Sequence, residues 1–405
     1  IFDLPNNAKL LSNMRIGGFG AYANTASTYL GGLGALAVID SIQLITQDGT
    51  VIDQIQNFQL YQSFKQYNQD NQRQKDRAPN LSKSQQATAY GGIVDANEEG
   101  AQIFNYNING GSRAVGASEA LTNTGWLSLS DCLNILSVMP VVNTAILKDM
   151  RLIINYDSQL VDYITDTANV PFNTTQPFLI VDELITNKEM PLSTVEFYSV
   201  EHDSLSVPAI VPTATEVTKK QLINRSLNGF RNKSIQRFLI AKTPQLLSSY
   251  QTAGVNMRYG KVASVSCNKE TLQISVNGSN LFTGDGLTKE NQRLAMLHDS
   301  FGVCSTYPFL NGSAYVEADA KNRSSHIDIG NDVISQMDFY GCVIQSEISD
   351  LKINWSREGV FVEDAGSADI TATASVNQSL VLNCFAQVKK ALVPTSDGGF
   401  LVQYL

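Results

Sequence analysis

Three histidines are the first residues to consider for metal binding or for general acid–base catalysis. They are His202, His298 and His326. No two of them have the HxH or HxxxH spacing that would place two imidazoles on one face of a single element. The sequence also lacks a GxSxG nucleophile elbow, a P-loop, a dinucleotide fingerprint and an HExxH motif. We therefore predict that the protein is not an enzyme and has no catalytic residue and no cofactor.

The acidic and aromatic residues likewise form no recognisable site. Four acidic residues in one segment are the best candidates for a calcium site: Glu317, Asp319, Asp328 and Asp332. Because they lack the compact, alternating pattern of dedicated calcium loops, we predict no metal site. The two tryptophans, Trp126 and Trp355, stand singly near predicted strands. They fit a role as core or interface anchors better than a role as sugar-binding platforms.

The cysteines are expected to be free thiols. They are odd in number and widely separated, and none belongs to a CxxC pair: Cys132, Cys267, Cys304, Cys342 and Cys384. This pattern favours neither a disulfide framework nor a zinc site. We therefore expect the protein to fold in a reducing compartment.

Length and composition indicate a protein with a large core. A chain of 405 residues, 43% hydrophobic and 17% charged, has room for two domains or for one large β domain. Its net charge of -9 argues against a protein that coats nucleic acid, since phosphate neutralisation needs surplus Lys and Arg. No apolar run approaches the roughly 20 residues that span a bilayer, and the first residues do not resemble a signal peptide, so we expect a soluble protein.

A helix, a proline and a strand follow one another between residues 126 and 157. Apolar residues recur at i, i+3, i+4 and i+7, as on one face of a helix: Leu129, Cys132, Leu133 and Leu136. Ser128 or Ser130 is the predicted cap, Asp131 is a first-turn acid, and Pro140 ends the helix. Apolar residues then alternate from residue 150 to residue 156, which predicts a strand with one buried face.

Other strands follow from alternation and from turn residues. Strands at 37–46 and 50–58 are joined by Asp48-Gly49, which suits a tight hairpin. Residues 62–77 predict an exposed helix or a mobile loop. Further strands are predicted at 101–108, 148–156, 178–182 and 194–202.

Short matches between the two halves of the chain indicate an internal duplication. They recur at offsets of about 230 to 245 residues. The matched elements are NMRIG from Asn13 with NMRYG from Asn256, the strand and turn at Ile42 and Asp48-Gly49 with those at Leu272 and Asn277-Gly278, and LIINY from Leu152 with LVLNC from Leu380. A Gln-rich sequence typical of a helix follows both hairpins.

The segment 219–242 lies between the halves and carries only basic charges: Lys219, Lys220, Arg225, Arg231, Lys233, Arg237 and Lys242. It is either a solvated linker or a basic patch that faces an acidic neighbour, a genome or lipid headgroups. Its apolar residues predict one helical face, formed by Leu222, Ile223, Leu227 and Phe230. Residues 235–240 predict the opening strand of the second domain. The predicted domains are 1–218, the basic connector 219–242, and 243–405.

Several of these segments resemble a known family. The strands from residue 14 to 58, the block at 130–156, the segment SIQRF from Ser234 and the closing strands at 380–388 resemble double jelly-roll major capsid proteins. This family forms the shells of small tailless icosahedral DNA viruses, such as virophages, polinton-like viruses and related phages. The resemblance implies an all-β fold with two tandem eight-stranded antiparallel jelly rolls, or β-sandwiches, and a few short helices in connecting loops.

The function that the resemblance implies is that of a structural major capsid protein located in the virion. The implied partners are two further copies in a homotrimer with a pseudo-hexameric outline, neighbouring capsomers, minor capsid or penton proteins, and an internal membrane or a basic genome-associated protein. Direct sequence-specific nucleic acid binding is not expected. One alternative is a β-sandwich carbohydrate-binding or adhesion protein, such as a viral spike or penton component. An enzyme on a β-sandwich is less favoured, because no acid/base pair or nucleophile emerges.

Overall fold

A computed structural model describes residues 1–17, 28–29, 39–46, 48–58, 60–61, 114–115, 126–156, 177–191, 193–209, 218–244, 270–288, 290–301, 326–329, 332–335, 339–360, 379–396 and 399–405. The strands, numbered in chain order, are β1 Phe2–Asp3, β2 Lys9–Leu11, β3 Arg15–Gly17, β4 Thr28–Tyr29, β5 Ile39–Ile45, β6 Val51–Ile55, β7 Ala114–Val115, β8 Trp126–Ser128, β9 Val141–Asn143, β10 Arg151–Tyr156, β11 Phe178–Ile180, β12 Val195–Val207, β13 Thr218–Ser226, β14 Ser234–Pro244, β15 Glu270–Val276, β16 Ser279–Asn280, β17 His326–Ile329, β18 Asp332–Ser335, β19 Phe339–Glu347, β20 Leu351–Val360, β21 Leu380–Pro394 and β22 Phe400–Tyr404. The α-helices with described bounds are α1 Asn134–Val138 and α2 Glu290–Phe301, and short 3-10 turns lie at Leu129–Asp131 and Asn228–Phe230. Phe58, Leu60 and Tyr61 are also helical. None of the described helices is long and apolar enough to span a membrane.

Two tight hairpins form at the predicted turns. Gly49 (φ 87°), Asn277 (φ 52°) and Gly278 (φ 84°) occupy the left-handed region, which Gly and Asn adopt more readily than other residues. β5 and β6 pair antiparallel across the first turn, and β15 and β16 pair across the second. The two strands predicted around Asp48-Gly49 are therefore confirmed as β5 and β6.

The order of helix, proline and strand is confirmed, but the predicted single helix is divided into the 3-10 turn Leu129–Asp131 and α1, with Leu133 in an extended conformation between them. α1 ends before Pro140, and β9 and β10 follow it. The predicted apolar face is buried, as Leu129, Cys132, Leu133 and Leu136 show. Tyr156, predicted to lie on the buried face of the strand, is exposed instead, because the register with β5 shifts between Asn155 and Tyr156.

The predicted serine cap is confirmed in position but not as a capping bond. Ser128 occupies the N-cap position of the 3-10 turn Leu129–Asp131, with Asp131 in its first turn, but its side chain makes no capping bond, and Leu133 occupies the N-cap position of α1. The Ser128 hydroxyl lies instead 3.0 Å from that of Ser130. The N–H of Ile135 donates to a carboxylate oxygen of buried Asp53 at 3.0 Å. A residue from β6 therefore satisfies a donor that a local cap was expected to satisfy.

The described strands enclose two hydrophobic cores. A nine-stranded sheet runs in the order β1, β10, β5, β6, β12, β21, β14, β19, with β22 also paired to β21. A four-stranded sheet has the order β13, β20, β15, β16. The first core gathers side chains from β5, β6, β10 and α1, and the second gathers side chains from β15, β19 and β20.

The strands β14 and β21 separate these two cores. In β14, Leu239 belongs to the first core and Phe238 to the second, and in β21, Phe385 belongs to the first core and Cys384 to the second. Successive side chains of a strand point to opposite faces, so a strand buried on both faces needs apolar residues at consecutive positions. The run FLIA meets this requirement, and the run LVLNCFA meets it except at Asn383, which is buried and polar. One sheet therefore serves as a wall for both cores.

The helical face predicted in the connector is wrong. Residues 218–226 form β13, which pairs antiparallel with β20 along its whole length. Leu222 is exposed while Ile223 packs against the second core, so the alternation of a strand, and not the helical period, describes this segment. This segment is a strand because its backbone pairs continuously with β20. The strand predicted at 235–240 is confirmed within β14.

One of the matches between the halves is also corrected. β10, which contains Leu152, pairs with β5, the first arm of the first hairpin. The strand that pairs with the first arm of the second hairpin, β15, is β20. The counterpart of Leu152 therefore lies in β20 and not at Leu380. The match of the two hairpins is confirmed, α2 confirms the helix expected after the second one, and the motif from Asn256 lies outside the described residues.

The remaining predicted elements have mixed outcomes. The strands predicted at 178–182 and 194–202 are confirmed as β11 and β12. β12 extends further than predicted, because it pairs with β21 as far as Val207. The predictions for 62–77 and 101–108 fall outside the described residues. The domain limits 1–218, 219–242 and 243–405 stay a prediction.

Candidate functional site

The candidate catalytic and metal-binding residues are not assembled into a site in the part of the chain that the structure describes. It contains no group of three or more His, Cys, Asp or Glu side chains placed to hold a metal ion. His202 lies in β12, with Nε2 3.1 Å from Oδ1 of Asn383 and with its ring 4.9 Å from that of Phe385. It therefore connects neighbouring strands. His298 lies on α2 and His326 on β17.

The acidic residues and the tryptophans are only partly described. Asp328 and Asp332 lie on β17 and β18, the two strands of one hairpin. Glu317 and Asp319 fall outside the described residues. Trp355 is fully buried in the second core, so its prediction as a core anchor is confirmed. Trp126 begins β8.

Three of the cysteines are described, and all three are buried free thiols: Cys132, Cys342 and Cys384. Burial raises the pKa of Cys342 to about 12 and places that of Cys384 well above its ordinary value. A thiol must lose its proton to act as a nucleophile, so these two are poor nucleophiles. Cys267 and Cys304 lie outside the described residues.

The second core contains a buried ionic cluster around Glu270. Nζ of Lys242 donates to both carboxylate oxygens of Glu270, at 3.1 and 2.8 Å. The Arg293 guanidinium lies 3.4 Å from the same carboxylate and 3.2 Å from the hydroxyl of Tyr340. That hydroxyl donates to Glu270. Burial, and after it the charge of Glu270, raises the pKa of Tyr340 well above its ordinary value, so the phenol stays protonated as a donor.

A second ionic cluster connects the C-terminal strand β22 to the sheet. Glu201 in β12 binds Nζ of Lys233 at 2.5 Å and Nζ of Lys390 at 3.2 Å, and it accepts a bond from the hydroxyl of Tyr404 at 3.0 Å. Burial would raise the pKa of Glu201. The hydrogen bond from Lys233 and the charge of Lys390 outweigh burial, so this pKa lies below its ordinary value.

Neither cluster was predicted from the sequence. The signal that could have pointed to them is a lysine next to an apolar strand run, as at Lys242 after FLIA and at Lys390 in AQVKKALV. Buried Lys is almost always paired, so each such position implies a carboxylate elsewhere in the chain. Two of the basic residues of the connector, Lys233 and Lys242, are held in these clusters and are not part of a solvated linker.

Asp53 is a third buried carboxylate. It accepts hydrogen bonds from the backbone N–H groups of Gln54 at 2.8 Å and Ile135 at 3.0 Å. Burial raises its pKa to about 6, although these bonds and the charge of Lys390 act in the opposite direction. The carboxyl connects β6 to α1.

The pKa of Asp53 predicts a pH dependence of stability. Because the folded-state pKa, about 6, exceeds the ordinary value of 3.8, the folded protein binds this proton more tightly than the unfolded chain does. The stabilisation is complete below pH 4 and is lost as the pH rises through about 6, a change on the order of 2 to 3 kcal/mol. We expect the unfolding free energy of wild type, relative to that of Asp53→Asn, to fall by about 2 kcal/mol from pH 4.5 to pH 7.5 in urea titrations, because part of the change already occurs below pH 4.5. An equal difference at both pH values would contradict the prediction.

β22 is an exposed apolar edge among the described residues. This strand pairs with β21 on one side. Leu401, Tyr404 and Leu405 are exposed, and the sequence FLVQYL contains neither a charge nor a proline. A groove of about 660 Å³ lies beside it, lined in part by Phe400 and Ile146. Edge strands of monomeric proteins are usually protected by charge, proline or a covering element, so this edge is a candidate contact surface.

Comparison with known proteins identifies the fold. No protein-family model and no curated protein sequence matches the chain. Among solved structures, the mavirus major capsid protein is similar over 100% of this chain and 86% of its own, with a TM-score of 0.51 and 12% sequence identity. A chain of the Sputnik virophage is similar over 100% of this chain and 84% of its own, with the same TM-score and identity.

The similarity extends over the whole chain, so it includes both cores and the sheet between them. The expected fold class, all-β with a double jelly roll, is thereby confirmed. The chain therefore has the double jelly-roll fold seen in the major capsid protein of a virophage.

Proposed function

We propose that this protein is a structural major capsid protein that assembles with copies of itself into a virus shell. The observation that carries the proposal is the fold, which is similar to that of a major capsid protein over the full length of the chain. In this fold, two hydrophobic cores lie on opposite faces of one sheet. A capsid subunit acts through its interfaces and needs no catalytic residue. The virion is its proposed location.

The chemistry of the described residues supports this proposal. The buried carboxyl groups of Glu201, Glu270 and Asp53 are bound within networks that connect different elements of the fold. Large apolar side chains are exposed on β22 and elsewhere, for example Ile185 and Leu222. A low fraction of charged residues, 17%, reduces the cost of desolvating surfaces when subunits associate.

The proposed assembly unit is a homotrimer. Two jelly rolls in one chain give three copies six similar sides, which suits tiling with local pseudo-sixfold symmetry. Rotational closure of the trimer prevents the open-ended growth that head-to-tail contacts otherwise produce. The proposed partners of the trimer are neighbouring capsomers, minor capsid or penton proteins, and an internal membrane or a basic genome-associated protein. The buried free thiols support folding in a reducing compartment.

Native mass spectrometry of the purified chain tests the proposal. We expect a species at three times 44.2 kDa, or larger closed assemblies, and no substantial monomer at micromolar concentration. Multi-angle light scattering on the same sample is the control for association during ionisation. A monomer that persists at high concentration in both measurements would contradict the proposal.

A further inference from the structure

A polar cleft lies where the helical segment of the first core meets the shared sheet. Its volume is about 400 Å³. Side chains from five elements line it, among them Asp131, Asn134, Tyr198, Gln236, Arg237 and Gln387. Because these residues come from distant parts of the chain, the cleft exists only in the folded protein.

Arg237 is the distinctive residue of this cleft. It is partly buried in β14, at a point where the register with both neighbouring strands shifts between Ile235 and Arg237. Bulges of this kind redirect side chains and are frequent beside binding sites. Within the described part of the chain, the guanidinium has no hydrogen bond and no ion pair. A partly buried guanidinium without a partner is available to a ligand.

We propose that this cleft is a binding site for a carboxylate. The guanidinium presents parallel N–H donors that match the two oxygens of a carboxylate. The amides of Gln236 and Gln387 and the hydroxyl of Tyr198 line the same cleft and add polar groups around it. Asp131 also lines it, and its negative charge opposes any anion, a doubly charged phosphate more than a singly charged carboxylate.

The favoured source of the carboxylate is an acidic side chain on a second copy of the chain, and this choice of source rests on the proposed function. With 38 acidic and 29 basic residues, each subunit offers surplus carboxylates to its neighbours. A free small carboxylate is the other source of the same chemistry.

Chemical modification of arginine distinguishes these sources. Phenylglyoxal labelling, read by peptide mass spectrometry, is compared at Arg237 and at exposed Arg231 in three samples: dissociated subunits, subunits with succinate at matched ionic strength, and assembled particles. We expect labelling of Arg237 to fall about tenfold, relative to Arg231, in particles if a second copy supplies the carboxylate. Protection by succinate without protection in particles identifies a small carboxylate as the source, and the succinate sample tests the carboxylate site even if no particle forms. Equal labelling ratios in all samples would overturn the proposal.

Variants separate recognition from simple burial. Arg237→Gln is expected to raise the dissociation constant about tenfold, measured for association of subunits or, where succinate alone protects, for succinate. Arg237→Lys keeps the charge but loses the paired donors, so it should recover only part of the affinity. The matched control Arg231→Gln removes the same charge from an exposed position and should change the constant less than twofold. If Arg237→Gln behaves like the control while still folding with the wild-type circular dichroism spectrum, the carboxylate site is excluded.

Discussion

Replacing Glu270 with Gln is expected to lower the unfolding free energy by about 3 to 5 kcal/mol. The substitution keeps the size of the side chain but removes the carboxylate that Lys242 and Arg293 share in the second core. Both cations are almost fully buried, so water cannot replace the lost negative charge. Urea unfolding of the full chain, followed by tryptophan fluorescence, measures the change, since Trp355 lies in the same core.

Glu196→Gln is the matched control for this variant. Glu196 also pairs with a lysine, Lys389, at 2.6 Å, but the pair is largely exposed to solvent. Exposed pairs contribute little, so we expect a change below about 0.5 kcal/mol. Similar effects of the two variants would show that the Glu270 cluster is not an essential part of the second core.

Phe385→Ala is expected to lower the unfolding free energy by about 3 to 5 kcal/mol as well. Phe385 extends from the shared strand β21 into the first core, where its ring centroid lies 5.4 Å from that of Tyr61 and 4.9 Å from that of His202. Removing the ring leaves a cavity next to the wall between the two cores. Because β21 belongs to both, we expect one cooperative transition at a lower urea concentration.

The control for this variant is Phe178→Ala, which removes the same atoms from an exposed position on β11. Its effect on the unfolding free energy should stay within about 0.5 kcal/mol. A loss below about 1 kcal/mol for Phe385→Ala, or two separate transitions, would show that the shared strand does not connect the cores energetically.

The elements that the sequence predicted well are those determined by neighbouring residues. The turn at Asp48-Gly49 needs a residue that tolerates positive φ, and the alternation on both sides of it defines β5 and β6 without reference to the rest of the chain. The stop at Pro140 is equally local, because proline cannot continue a helix. The double jelly roll itself followed from the resemblance of several such local segments to one family, and the comparison of folds confirms it.

The features that the sequence did not predict depend on contacts between distant residues. The segment of β13 has apolar residues that fit a helical period, but pairing with β20 makes it a strand. The N–H of Ile135 is satisfied by Asp53, which no local capping rule could identify. Glu270 and Tyr340, which contact Lys242, likewise come from two other elements, β15 and β19. Such contacts are defined only once the topology is known.

Electron microscopy of the purified full-length chain tests the central claim most directly. We expect closed shells, or separate capsomers with a threefold axis and a pseudo-hexagonal outline, because two fused jelly rolls give each trimer six similar sides. Uniform particles of single-chain size, in protein that circular dichroism shows to be folded, would contradict a role in building a shell.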